Sequence, residues 1–312
     1  MSRLIDHIAD FLVENGFELS FQIRHDFDVI VTRTLEGRHT KVVLPLEISA
    51  RTIEEAEAES EKAEYAIRMI TREAGYPLII TEDRWNRQRA MMEARLLAHM
   101  EVHHQAYARN CEVRRIEKAE AQEFLNRNHS YGDAACKYRY GLFLKRHTGH
   151  IAAEMETSPV ILNEVKNLSP GTLIAVATFS NARKWIKDGK EIRSYEWTRY
   201  ASLPDLRVSG GMGKLLKAFI KEVQPDDIMS YADLEWSEGE VYERLGFEAE
   251  AEKEPVTFTI DPQTWERKAI RRSLDKLGMT EDKLGMAEEK LGDLFFRNFG
   301  SRKYRLKLTD YR

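Results

Sequence analysis

Cysteine is nearly missing from this chain: Cys111 and Cys136 are the only two in 312 residues. Two thiols make neither a disulfide framework nor a four-ligand metal knuckle, so the fold must rest on its apolar core. A reducing cytoplasm is the expected setting. Long apolar runs are missing too. No stretch approaches the ~20 residues a membrane helix needs. The opening MSRLIDHIADFLVENGF carries Asp6, Asp10 and Glu14, so it reads as an amphipathic helix and not as a signal peptide. There is no excess of positive charge: 48 Lys and Arg against 52 Asp and Glu leave a net charge of −4. Contact with a polyanion would therefore need a local basic patch.

What is present alternates between the two periodicities of regular structure. A helix is predicted over 3–14, followed by strands 17-FELSFQIR-24, 27-FDVIVTR-33 and 40-TKVVLPLEI-48, with Gly37 marking a turn. A charged helix over 51–74 stops at Gly75, and 77-PLIIT-81 returns as a strand. This α-β-β-β-α-β order makes residues 1–83 a small α/β domain. Residues 84–108 read as one helix, a linker between two domains. A second α/β domain is expected over 109–260. It has strands at 111–116, 138–145, 172–180, 192–203, 228–233 and within 247–260, and helices at 118–128, 214–223 and 238–245. Residues 149–170 separate two strands that would otherwise form a hairpin. The C-terminal extension, 261–312, contains a seven-residue repeat over 275–292, and both segments read as insertions.

Three glycines crowd the stretch 207-RVSGGMGKLLKAF-219. They lie between a strand and a helix, where unpaired amides point outward and the helix dipole favours an anion. Glycine also allows close approach and positive φ. A phosphate or pyrophosphate is the natural ligand, held by Val208, Ser209, Gly210, Gly211, Met212, Gly213 and Lys214. A bare Gly-rich turn is the alternative. No Ser or Thr follows Gly213-Lys214 and the four-residue spacer is missing, so this is not a Walker loop. A dinucleotide fingerprint would follow a first β-strand, and this loop lies deep in its domain.

The pair 199-RYASLPDLRVSGGMGKLL-216 and 241-VYERLGFE-248 resembles the GNAT superfamily of acyl-CoA-dependent N-acyltransferases. Gly211 and Gly213 stand at that family's two glycine positions, and Val208 stands where it usually has Gln or Arg. Tyr242 and Leu245-Gly246-Phe247 match its second motif. The resemblance implies a GNAT-like mixed-sheet domain, two strands that splay apart, and acetyl-CoA or another acyl-CoA as the thioester. It also implies Tyr242 as proton donor to the leaving thiolate and Glu196 as a base acting through water. A packed aromatic and a solvated strand glutamate are the alternatives for those two residues.

The set 128-NHSYG-132, 194-SYEWTRYA-201, 209-SGGMGKLL-216 and 230-SYADLEWSEGEVYERLGF-247 resembles a narrower branch of phage and mobile-element proteins. That branch includes Mom-type DNA-modification enzymes and fusions of a very-short-patch-repair-like nuclease to a GNAT-like fold. It implies an active-site trio of Arg199, Asp233 and Tyr242 with His129 near the mouth. A structural Arg–Asp pair and a surface histidine are the alternatives. It also implies a nucleic-acid partner, DNA or tRNA.

The α-β-β-β-α-β order resembles PD-(D/E)XK nucleases, which hold Mg²⁺ on strand carboxylates; Asp28 and Glu47 fall on the corresponding strands. Ser49 stands where those enzymes carry Lys, so the resemblance implies a degenerate nuclease-like module, with Mg²⁺ needed only if it cleaves. Basic clusters with interleaved Tyr138, Tyr140 and Tyr304 are candidate nucleic-acid contacts. They include Arg114 and Arg115, Lys137 and Arg139, Arg267 and Lys268, and Arg302, Lys303 and Arg305. The expectation is an α/β (α+β) protein that acylates a nucleic-acid amine. The rivals are an N-acetyltransferase for a small amine or protein, and a mobile-element DNA-binding protein or nuclease.

Overall fold

The structure, a computed structural model, describes residues 3–34, 37, 39–145, 168–270 and 293–310. The 275–292 repeat, nearly all of the 149–170 segment, and Arg146, Arg271 and Arg272 lie outside the described residues. The chain forms two compact units that alternate along the sequence. One comprises Met1–Met92, Asp233–Glu238 and Glu252–Ser301, the other Glu93–Ala232, Gly239–Ala251 and Arg302–Arg312.

The first unit opens with α1 (Leu4–Glu14), β1 (Leu19–Arg24), β2 (Phe27–Arg33), β3 (Thr40–Leu46), α2 (Ile53–Ala74), β4 (Leu78–Thr81) and α3 (Glu82–Arg87). The strands pair in order β1-β2-β3-β4, with β3 and β4 parallel across the α2 crossover. Val29 and Ile30 of β2 are consecutive and so face opposite ways, yet both are fully buried, and the small residues Ala56, Ala63 and Ala66 lie on the buried side of α2. Thr52 caps α2 by accepting from the Glu55 amide. Later in the chain this unit gains β14 (Thr257–Ile260), β15 (Arg267–Ala269) and β16 (Leu294–Arg297), a three-stranded sheet in the order β15-β14-β16.

The second unit takes in the end of α4 (Arg89–His99), then β5 (His104–Tyr107), a 3₁₀ turn at Ala108–Asn110 and β6 (Cys111–Arg115). It continues with α5 (Lys118–Asn128), β7 (Tyr138–Leu144), β8 (Leu173–Phe179), β9 (Arg183–Lys187), β10 (Lys190–Ser202), β11 (Leu206–Ser209) and α6 (Gly211–Val223). β12 (Asp227–Asp233), α7 (Glu240–Arg244), β13 (Glu248–Lys253) and, after the excursion, β17 (Ser301–Lys307) complete it. The main sheet runs β13-β17-β12-β10-β8-β7-β6, with β9 attached to β10. β7 and β8 pair antiparallel, Tyr138 opposite Phe179, so they do form a hairpin. The core between sheet and α6 is aromatic: Phe219 stacks on Phe179 at 3.9 Å, with Tyr138, Tyr140 and Tyr195 edge-on to it.

Three expectations need correction. The helix predicted over 84–108 breaks at Gln88, ends at His99 and gives way to β5. Four residues, His-Gln-Ala-Tyr, are too short to show strand periodicity. β5 exists because β11 pairs with it in parallel, His104 against Leu206 and Tyr107 against Ser209. The predicted strand 192–203 stops at Ser202, and the separate β11 follows. The C-terminal extension is more than a carrier of the repeat, because its β17 is inserted between β13 and β12 with Tyr304 fully buried. Among the described residues, no helix is long and apolar enough to cross a membrane.

Candidate active site

β10 and β12 pair in parallel over three positions, Ser194–Glu196 against Asp227–Met229. No pairing beyond Glu196 and Met229 occurs among the described residues, although β10 runs on to Ser202 and β12 to Asp233. Two local devices part the strands. A β-bulge between Trp197 and Arg199 leaves Thr198 without an opposite residue on β8, and such bulges bend and twist a strand. At the next rung toward β12, a side chain replaces the ladder bond: Ser230 Oγ donates to the Trp197 carbonyl at 3.0 Å.

The Tyr242 hydroxyl reaches this point, 2.9 Å from Ser230 Oγ. Ser230 has one proton, and the carbonyl of Trp197 can only accept it. That proton is shared between the Trp197 carbonyl and the Tyr242 oxygen, so the Tyr242 hydroxyl accepts from Ser230 and keeps its own proton to give away. The ring stacks on Tyr304 at 5.3 Å and meets Trp197 and Phe247 edge-on. Gly239 opens α7 in the left-handed region at φ +88°, and a Cβ there would lie 2.5 Å from the Tyr304 ring. Burial pushes the Tyr242 phenol up from its ordinary pKa, so the group stays protonated at neutral pH.

The glycine loop begins α6. Gly210 is its N-cap, in the left-handed region at φ +75°. A Cβ on Gly211 would lie 2.8 Å from Val208 and 3.3 Å from the Tyr200 hydroxyl, so close packing by itself demands glycine there. The first-turn amides of Gly211, Met212 and Gly213 remain the helix's anion-facing donors. Lys214 is not one of them: its Nζ donates to the carbonyls of Ala108 and Cys111 at 2.8 and 2.6 Å and ties α6 to the 3₁₀ turn. Val208 is packed, and Ser209 accepts from Gln105 at 3.0 Å.

The bulge also gathers charged groups on one side of β10. It puts Glu196 and Arg199 on one face of β10, although three positions apart on a regular strand they would face opposite ways. Arg199 donates to the Gly132 carbonyl at 3.0 Å and the Thr198 carbonyl at 2.8 Å. Desolvation lowers its pKa, and the charges of Glu196 and Asp133 oppose that. His129 ends α5, and its Nδ1 accepts from the Tyr131 amide at 3.1 Å. Glu196, Arg199, His129 and Asp133 are thus carried by β10 and the loop after α5. Asp233 ends β12 and binds elsewhere, accepting from the Glu235 amide at 3.0 Å and pairing with Arg84.

In the first unit, a cavity of about 270 Å³ is lined by Asp28, Glu47, Ser49 and Lys62. The two carboxylates are already engaged by the start of α1. Asp28 pairs with Arg3 at 2.8 Å, and Glu47 accepts from the Leu4 amide at 3.2 Å. Ser49 donates to Glu59 at 2.8 Å. Among the described residues no group of three His, Cys, Asp or Glu could hold a metal. Both carboxylates would have to leave these partners to hold Mg²⁺.

Several expected phosphate contacts are structural. Arg267 is held by Asp83 and Glu235, Lys303 pairs with Glu250, and Arg305 pairs with Asp227 at 2.6 Å. Tyr140 and Tyr304 are core residues, and half-buried Tyr138 packs against the core beneath Arg115. The rings of Tyr140 and Tyr304 are therefore closed to a stacking base. Sequence reasoning missed Ser230 and Trp197, and it gave Tyr304 a nucleic-acid contact in place of its stack on Tyr242.

No family model matches this chain, and no curated protein matches it. Among solved structures, a tyrosine-to-phenylalanine mutant of the AtaT toxin, bound to the C-terminus of the antitoxin AtaR and acetyl-CoA, is similar over 60% of this chain and 93% of that chain. Identity is 12% and the TM-score 0.25, a likeness that carries no argument.

Proposed function

We propose that the second unit is a GNAT-type acyltransferase, moving an acyl group from a CoA thioester to an amine, with a nucleic-acid amine as acceptor. The observation that carries this reading is the parting of β10 from β12 beside a half-buried, protonated tyrosine. Parted strands leave backbone donors and a slot for an extended pantetheine. The α6 amides of Gly211, Met212 and Gly213 would hold the diphosphate, in line with their position at a helix start. The amine nitrogen attacks the thioester carbonyl, and the C–S bond breaks. The proton shed by the amine passes through water to Glu196, and the leaving thiolate takes the Tyr242 proton. Arg199 lines the acceptor side. Asp233, given to Arg84, is proposed as a support for the end of β12.

A small amine or a protein amine as acceptor is the second reading. It is favoured by the burial or pairing of Arg267, Lys303, Arg305, Tyr140 and Tyr304. Calorimetric titration with acetyl-CoA tests the donor half. Binding is expected for the native protein and for Met212→Gln, with loss in Met212→Glu, whose carboxylate would repel a diphosphate at the helix start. Absence of binding to the native protein overturns the reading. Incubation with acetyl-CoA and DNA or tRNA, followed by nucleoside mass spectrometry, tests the acceptor half. Unmodified nucleosides alongside CoA binding would favour the small-amine acceptor.

A further inference from the structure

We propose that the β9–β10 ribbon is a nucleic-acid-binding arm, in which Arg183, Lys187 and Lys190 hold phosphates around Trp185. β9 pairs with no strand but β10 in the main sheet, and the two are joined by a tight Asp188-Gly189 turn with φ +50° and +76°. Both φ values are positive, as in the rigid two-residue turns that match strand twist. The register places Lys187 opposite Lys190, Trp185 opposite Ile192 and Arg183 opposite Ser194. Directly opposed residues share a face, and residues two apart on one strand share it too. Arg183, Trp185, Lys187 and Lys190 therefore lie on one face of the ribbon.

That face is built at a cost. Like charges directly opposite on paired strands are destabilising, yet Lys187 and Lys190 face each other. Arg183, Lys187 and Lys190 have no carboxylate partner among the described residues. On the opposite face, by contrast, Lys184 is neutralised by Glu191 at 3.0 Å. Trp185 is 37% exposed although Ile192 opposite it is fully buried. Cations flanking a half-exposed aromatic suit a single strand, whose phosphates meet the ammonium groups while a base stacks on the ring. An acidic peptide would answer the charges but not the ring.

The arm deepens the acyl-transfer reading by naming the surface that holds the acceptor. β10 connects the two directly, since Lys190 begins the strand that carries Glu196 and Arg199. Six residues from Lys190 to Glu196 span about 20 Å at ~3.3 Å per residue. A strand gripped at the ribbon could thus present a base farther along to the bulge.

Fluorescence anisotropy of the full-length protein with a labelled single-stranded oligonucleotide, without acyl donor, tests the arm by itself. Three cations predict a slope of log affinity against log salt of about −2, at ~0.7 per phosphate for single strands. The K187E/K190E double variant is expected to weaken binding by about tenfold or more and to flatten the slope toward about −0.7. Trp185→Ala should lose about fivefold or more, while Trp185→Phe keeps a stacking ring and retains binding. Acetyl-CoA binding should be unchanged in all three, Trp185→Phe should melt with the native protein, and K187Q/K190Q is the milder substitute if charge reversal unfolds the ribbon. Native-like binding by the charge-reversed protein overturns the proposal. So does a native protein that ignores oligonucleotides or that prefers phosphatidylglycerol vesicles. Binding without acylation would leave the arm standing and remove the nucleic-acid acceptor. Acylation at an undiminished rate by the charge-reversed protein would do the reverse.

Discussion

Replacing Tyr242 by Phe separates chemistry from structure. The hydroxyl makes one bond, to Ser230 Oγ at 2.9 Å, and Ser230 retains its own bond to the Trp197 carbonyl. Losing one neutral hydrogen bond costs about 1 kcal/mol, and for a chain of this size that is about 2–4 °C in melting temperature. The ring contacts with Tyr304, Trp197 and Phe247 survive, because Phe fills the same volume. A positioned general acid contributes about 10²–10⁴ in rate, equivalent to ~3–5 kcal/mol of barrier. Tyr242→Phe should therefore lose at least about a hundredfold in kcat while melting within a few degrees of the native protein, with acetyl-CoA affinity retained. Because burial raises the phenol's pKa above its ordinary value of about 10, no alkaline loss of rate should be traceable to Tyr242 below that pH. Initial rates of acylated-product formation, read by mass spectrometry from pH 6 to pH 9, provide the assay. If Tyr242→Phe turns over within twofold of the native rate, the tyrosine is not the proton donor and the mechanism drawn from its position fails.

Other consequences follow from the same contacts. Arg267 lies between Asp83 and Glu235, so Arg267→Met would strand buried carboxylates at a cost of ~3–5 kcal/mol. Calorimetry should show melting lowered by about 6–20 °C, and a change under 2 °C would show that the network carries no stability. Burial by itself would raise the Glu235 carboxyl, but Arg267 and Arg84 overcome it and hold the group well below its usual range. A depressed folded pKa gives stability that is present above the unfolded value of ~4.3 and lost as pH falls below it. Glu235→Gln should flatten acid unfolding in that window, measured by urea titrations at stepped pH. Gly239→Ala would add strain at φ +88° and drive a methyl into Tyr304 and Ala232. It should destabilise by roughly 2 kcal/mol or more and disturb the near-ultraviolet signal of the Tyr242–Tyr304 stack. Burial raises the phenols of Tyr140, Tyr195, Tyr200 and Tyr304. Their contribution is complete below pH ~10 and is lost as pH rises beyond it, so alkaline titration should unfold the chain from about that point.

The elements that sequence reasoning finds are those whose signal is local. β2 and β4 each carry their own apolar run, and both appear within a residue of the predicted bounds. α6 announces itself by Leu215, Leu216 and Phe219 on one face, all buried. The elements it misses owe their existence to a partner far along the chain. β5 and β11 are each four residues long and form only because about a hundred positions of sequence fold back to align them. The same distinction runs through the candidate site. Tyr242 and Gly211 stand inside short motifs, but Ser230 acquires its role only because the bulge at Trp197 leaves a carbonyl for its hydroxyl. Lys214 shows the converse. Beside two glycines at a helix start, a lysine reads as a phosphate ligand, yet two carbonyls from the 3₁₀ turn and the start of β6 claim its ammonium group. A cation's role depends on which acceptors the fold brings within about 3 Å. That criterion removes Lys214, Arg267 and Arg305 from the proposed binding surface and leaves Arg183, Lys187 and Lys190 on it.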